Sequence, residues 1–198
     1  MNLFELMGVG TAKKKVKSSR PVTNLSKLLS NIGWVKLGKG SFSRILTNPQ
    51  KNYIIKIFFK DSCYIKFVKY CLQNQSNPHL PKFRGNLIQF PENDKIFAVR
   101  MEKLEKIKGY KLVDEIGYYT SGINTGDVSK IGENSNYEWL ESNYPKLAQA
   151  ILDISNLKRT CRFDIHDGNI MMRGEIPVII DPLYEQSELM TVKFGAPF

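Results

Sequence analysis

The chain has 198 residues, 42% of them hydrophobic, with 29 Lys and Arg against 19 Asp and Glu and a formal net charge of +10. This composition excludes a disordered or collagen-like chain and suffices for one ordinary core or two small lobes. The charge favours an anionic partner, whether nucleic acid, an acidic protein surface or a phosphorylated small molecule, without choosing among them.

Residues 1–30 are basic and contain Ser and Thr, so a flexible extension is expected there. Lys13 to Lys17, "KKKVK", would be its solvated face, or an arm for nucleic acid or an acidic protein surface. The apolar residues at the start precede the charges, and no apolar run approaches the roughly 20 residues of a membrane span. A cytoplasmic chain with no membrane partner is therefore expected. Cys63, Cys71 and Cys161 are odd in number and lack C-x-x-C spacing, which predicts buried thiols in a reducing compartment rather than a disulfide framework.

From Trp34, "WVKL", Gly38 and Gly40, "SFSRIL", the turn Asn48-Pro49 and "NYIIKIFF" read as an antiparallel meander of three strands. Asp61 and Ser62 are good helix N-caps, and Tyr64, Phe67, Val68, Cys71 and Leu72 form one helical stripe, with Lys66 and Lys69 facing water. Pro78 in "NPHLPKFRGNLIQF" ends that helix and leads to two further strands, the second over Lys95 to Glu102. Lys103 to Asn136 is weakly patterned, a connector with one short helix at Leu112 to Ile116. Pro145 opens a clear helix with Leu147, Ala150, Ile151, Ile154 and Leu157 on one face.

Three stretches carry chemistry. "LGKGSFSRI", Leu37 to Ile45, places two glycines between strands, as an ordinary hairpin turn or as a backbone able to approach phosphate oxygens. Lys56 sits among Ile54, Ile55, Ile57 and Phe58, so its ammonium needs an anionic partner or an edge-strand escape to solvent. "FDIHDGNIMMRGEIPVIIDP", Phe163 to Pro182, gathers Asp164, His166 and Asn169 in one loop and returns Asp181 beside them through a hairpin. Hard oxygens so arranged suit Mg2+, which takes one or two protein groups plus phosphates and water.

These pieces occur in the order of the protein-kinase fold, and "DIHDGNIMMR" followed by "VIIDPL" resembles the early serine/threonine kinases of T-seven-type bacteriophages. The resemblance spans about residues 33 to 185. It implies an α+β, two-lobed protein-kinase-like fold: an N-lobe over 31–102 with a five-stranded antiparallel sheet and one helix, and a reduced, mostly helical C-lobe over 103–198. It implies ATP and Mg2+ as cofactors and host proteins as substrates. Gly38, Gly40 and Ser43 would form the phosphate loop, Ile45 and Ile54 would cover the adenine, and Lys56 would hold the α and β phosphates. Met101, Glu102, Lys103 and Leu104 would be the hinge. Asp164 would orient the attacking hydroxyl and accept its proton, and Asn169 and Asp181 would hold Mg2+. His166 would stand near the γ-phosphate or order the loop, while His79 would be structural and Asp167 solvated.

Some features depart from that pattern. The helix stripe offers no carboxylate to Lys56, leaving Asp61 or Gln75 as substitutes, and Arg162-Phe163 precedes Asp164 where kinases carry an arginine directly before the acid. Asp181 is followed by Pro182 and Leu183 rather than Phe-Gly, and only 16 residues follow Pro182, which implies a C-lobe that is minimal, truncated or completed by a partner. "APF" at Ala196 to Phe198 matches the end of an activation segment only in part. Two rival readings share these residues: a small-molecule phosphotransferase of the same fold, and a non-catalytic kinase-like inhibitor or nucleic-acid-binding protein acting through Lys13 to Lys17.

Overall fold

The structure, a computed structural model, describes residues 20–40, 43–90, 93–109, 111–125, 135–157 and 161–185. Lys13 to Lys17, Ser41, Phe42 and Ala196 to Phe198 lie outside the described residues. The chain forms two compact units, one of residues 1–60 and 82–103 and the other of residues 61–81 and 104–198. This division differs from the lobes expected at 31–102 and 103–198, because the segment after Lys60 belongs with the second unit.

In the first unit, helix α1 (Pro21–Ser30) precedes strands β1 (Val35–Lys39), β2 (Ser43–Thr47) and β3 (Tyr53–Phe59). Strands β4 (Ile88–Phe90) and β5 (Asn93–Glu102) complete an antiparallel sheet of order β1-β2-β3-β5-β4. Five antiparallel strands are what the sequence led us to expect. The alternation of each strand sends Leu46, Ile55, Ile57, Ile96 and Ala98 to one face, where they form a core with Leu25, Leu29, Trp34 and Phe90. Each leucine, isoleucine or phenylalanine among them, buried fully, contributes about 1.5–3 kcal/mol.

Helix α1 corrects the expectation of a flexible extension as far as residue 30. Pro21 lies in its first turn, preset for helix, and Val22, Leu25 and Leu29 repeat at helical spacing beneath the basic and polar residues that suggested an extension. The helix ends as Gly33 adopts φ of 87° and the Trp34 N–H reaches back to the Leu29 carbonyl at 3.2 Å. That turn drops Trp34 into the core.

In the second unit, helix α2 (Ser62–Gln73) starts where Asp61 accepts the Tyr64 N–H at 2.8 Å, and it buries Cys63, Tyr64, Phe67, Val68 and Cys71. The cap and most of the stripe are as the sequence predicts. Strand β6 (Glu105–Lys106) is followed by helices α3 (Lys111–Thr125), α4 (Ser135–Asn143) and α5 (Pro145–Asn156). Helix α3 replaces the short helix expected at Leu112 to Ile116. Its buried stripe of Val113, Ile116, Tyr119 and Thr120 is diluted in sequence by Gly117, Ser121 and Gly122, which hid its length. Strands β7 (Cys161–Phe163), β8 (Ile170–Arg173), β9 (Ile176–Ile179) and β10 (Leu183–Glu185) form two small sheets, β10-β7 and β6-β8-β9.

Cys63 and Cys161 form a disulfide, which overturns the expectation of three thiols. Ninety-eight residues separate them, so only the placement of β7 beside the start of α2 reveals the pair. Cys71 is the remaining thiol, and burial pushes it well above its ordinary range. Tyr70 donates to Asp153 at 2.8 Å, tying α2 to α5. His79 is structural, as expected: Nδ1 is 2.8 Å from the Pro177 carbonyl, and Arg173 donates to the Pro78 and Leu80 carbonyls.

Candidate functional site

The expected site residues fall into two groups, one on the sheet of the first unit and one in the loops of the second. On the sheet, register places Ile45 opposite Lys56, Lys56 opposite Val99, and Ile54 opposite Met101. Directly opposed residues share a face, so these five lie on the side of the sheet away from the α1 core. Strand β3 is central, which removes the edge-strand reading of Lys56. The lysine is only 7% exposed, with its Nζ 6.0 Å from the centre of the Phe58 ring.

Gly38 pairs with Ile45, whose Cδ1 would lie 3.7 Å from a Cβ at position 38. At Gly40 a Cβ would fall 2.7 Å from Ser43 Oγ, so Ser43 fills the space a side chain would need. Arg44, which sequence reasoning missed, donates to the carbonyls of Ser43 at 2.7 Å and Gly40 at 3.4 Å and holds the two ends of this loop together. Leu37, also missed, is 61% exposed at the bulge just before Gly38. At the far end of β5, Glu102 is occupied: its N–H donates to the Lys82 carbonyl at 3.0 Å and its Oε1 accepts the Lys82 N–H at 2.7 Å. Lys103 donates from Nζ to the Asn48 carbonyl at 3.0 Å. Along the chain, the boundary between the units falls between Lys103 and Leu104, inside the expected hinge.

In the second unit, two small antiparallel pairings bring Asp164, Asn169 and Asp181 to one place. Leu183 pairs with Phe163 and Ile179 with Ile170, so the loop after β7 and the segment after β9 run side by side. The Asp164 N–H bonds the Pro182 carbonyl at 2.8 Å, and the Ile180 N–H bonds the Asn169 carbonyl at 2.9 Å. Asp181 is thereby fixed from both flanks. Asn169, buried at 9% exposure, donates from Nδ2 to the Asp164 carbonyl at 2.7 Å and lies 3.4 Å from its Oδ2. With Nδ2 so engaged, Oδ1 is the amide atom left to face a cation.

His166 and Asp164 are each about half exposed, with Nε2 3.8 Å from Asp164 Oδ2. Nδ1 accepts the Gly168 N–H at 3.0 Å, which in the neutral ring places the proton on Nε2, on the Asp164 side. A Cβ at Gly168 would fall 2.7 Å from His166 Cε1, so only glycine lets the ring fold back over the loop. Behind Asp181 stands Tyr64, missed at sequence level because it reads as an ordinary core residue. Burial first, and then the negative charge of Asp181, hold its phenol well above the ordinary range.

No cluster of three His, Cys, Asp or Glu capable of holding a metal occurs among the described residues. Asn169 and Asp181 still fit Mg2+, which commonly takes two protein oxygens and draws the rest from phosphate and water. Asp61 caps α2 through Oδ1, and Gln75 donates its amide to the Cys71 and Pro81 carbonyls. No helix among the described residues is long and apolar enough to cross a membrane.

Among curated proteins, none matches this sequence. Among solved structures the chain is similar to the kinase domain of Mycobacterium tuberculosis PknI, at 10% identity and a TM-score of 0.32, and to a single-substitution variant of it at 11% and 0.34. Each match covers 75% of this chain and 58% of the kinase domain, so the chain spans under two thirds of those domains. The family model described as bacteriophage T7 protein kinase 0.7 matches residues 6–190, across both the glycine loop and the Asp164 loop. By that match the chain belongs to the bacteriophage T7 protein kinase family.

Proposed function

We propose that the chain is an ATP- and Mg2+-dependent serine/threonine protein kinase of phage type that phosphorylates host proteins of the transcription, translation or RNA-processing machinery. The observation that carries this reading is the closed loop from Asp164 to Asn169, tied on both flanks to the backbone around Asp181. This arrangement sets a base and one cation ligand of the loop beside the Asp181 carboxylate, and phosphoryl transfer depends mainly on positioning and charge stabilisation.

Asp164, half exposed, orients the acceptor hydroxyl and takes its proton. Asn169 Oδ1 and the Asp181 carboxylate would hold Mg2+, which when bound neutralises charge on the transferring phosphoryl group. His166 orders the loop through Gly168 and keeps an N–H on its outer nitrogen for a phosphate oxygen. Lys56 takes the α and β phosphates. Gly38, Gly40 and Ser43, braced by Arg44, supply backbone donors to the phosphates. Ile45, Ile54 and the exposed Leu37 offer the adenine an apolar cover. Because the Glu102 N–H is already bonded, Lys103 and Leu104 carry the hinge hydrogen bonds.

Incubating the full chain with radiolabelled ATP, Mg2+ and host lysate is expected to label host proteins at serine or threonine, and Asp164→Ala to abolish the label. Equal labelling by both proteins overturns the assignment.

A further inference from the structure

Wholly within the second unit, an open groove of about 540 Å3 lies between helix α3 and the loop that carries Asp164. Asp114, Gly117 and Tyr118 line it from the helix, and Ile165, His166 and Asp167 from the loop. In a chain of net charge +10, the described lining holds two carboxylates and no lysine or arginine. Asp167 is 63% exposed and Tyr118 62%, so a charge and an aromatic ring both face water beside the catalytic loop.

Gly117 adds an independent observation. In a helix interior glycine costs about 1 kcal/mol relative to alanine. Gly117 has no left-handed backbone to accommodate, and a Cβ there would meet no atom of the described residues within 4 Å beyond its own stretch of helix. Neither packing nor conformation calls for glycine at this position. Its missing side chain gives the groove width.

We propose that this groove binds the polypeptide segment bearing the acceptor hydroxyl, and that Asp114 and Asp167 select an arginine or lysine a few residues from that hydroxyl. The inference rests on the phosphoryl-transfer reading above. A guanidinium pairs with carboxylates through parallel charge-assisted hydrogen bonds and stacks on an aromatic face such as that of Tyr118. An extended peptide advances about 3.3 Å per residue, so one short segment spans the reach from Asp164 to the groove. The sequence offered no motif for this site, because five of its eight lining residues come from helix α3, whose full length the sequence did not reveal.

Fluorescence anisotropy of labelled serine peptides against the full chain, without ATP, reads the groove by itself. A peptide with arginines flanking the serine is expected to bind about tenfold more tightly than its alanine counterpart. Asp114→Lys and Gly117→Leu should each remove that preference. Gly117→Leu substitutes a good helix former for a poor one, so a loss there is steric filling rather than unfolding. Equal affinity for the two peptides, or a preference unchanged in both variants, overturns the groove. Phosphorylation of a free aminoglycoside with no binding of any peptide also overturns it, in favour of a small-molecule acceptor. Arginine-selective binding with no transfer of labelled phosphate to any peptide leaves the groove standing and overturns the kinase reading alone.

Discussion

Replacing Asn169 by Asp keeps an oxygen for a cation, yet it should damage the site more than Asn169→Ala does. The Asn169 amide donates to the Asp164 carbonyl at 2.7 Å and lies 3.4 Å from that residue's carboxylate. A carboxylate in its place loses the donor and sets two like charges within about 4 Å. That repulsion lies between about 1 kcal/mol in water and about 4 kcal/mol at a surface-like dielectric, and because Asp164 is half exposed the lower half of the range applies. Losing the hydrogen bond adds about 1 kcal/mol for either variant. The charge penalty holds the new carboxylate above its ordinary range in the folded chain. It is therefore complete at neutral pH and fades as pH falls toward about 4, where the unfolded chain also takes up the proton. Urea denaturation of both variants at pH 8, 6 and 4.5 is the assay. Asn169→Asp should be about 1–2 kcal/mol less stable than Asn169→Ala at pH 8 and approach it at pH 4.5. Equal stability of the two variants at every pH would refute the placement of Asn169 against Asp164.

Other features of the fold give separate tests. Leu29→Ala should cost about 2–5 kcal/mol in urea denaturation, because Leu29 is fully buried on the sheet core; a change below about 0.5 kcal/mol would mean that α1 does not pack there. His79 is pushed below its ordinary 6.5 by burial, only partly offset by its bond to the Pro177 carbonyl. The unfolded chain therefore takes up a proton that the folded chain refuses, and stability should fall as pH drops below about 6.5, a slope that His79→Gln should flatten. Thiol titration of the unfolded, unreduced chain should count one reactive thiol, from Cys71, and a count of three contradicts the Cys63–Cys161 bond.

What could be read from sequence was local. The strands around Lys56 are short β-branched and aromatic runs closed by turn residues, the Asp61 cap sits directly before its stripe, and Asp164 to Asp181 is a loop followed by a short hairpin whose register follows from neighbouring residues. Helix α1 was masked by its polar residues and Lys27, and the length of α3 by Gly117, Ser121 and Gly122, which dilute its apolar stripe. The Cys63–Cys161 bond and the placement of residues 61–81 with the second unit depend on contacts across about a hundred residues, for which sequence carries no periodic signal. Tyr64 showed its helical spacing, but nothing in that spacing names Asp181 as its electrostatic neighbour.

The interleaving of the two units has a cost during synthesis. Helix α2 leaves the ribosome well before the strands that hold it, since Cys161 follows Cys63 by 98 residues and β10, which packs on the same helix, comes later still. At about 5–20 residues per second, Phe67, Val68 and Cys71 wait several seconds or more without their final cover. Neither unit is a continuous stretch, so a nascent chain halted near residue 103 carries the apolar stripe of α2 without the later strands that pack on it.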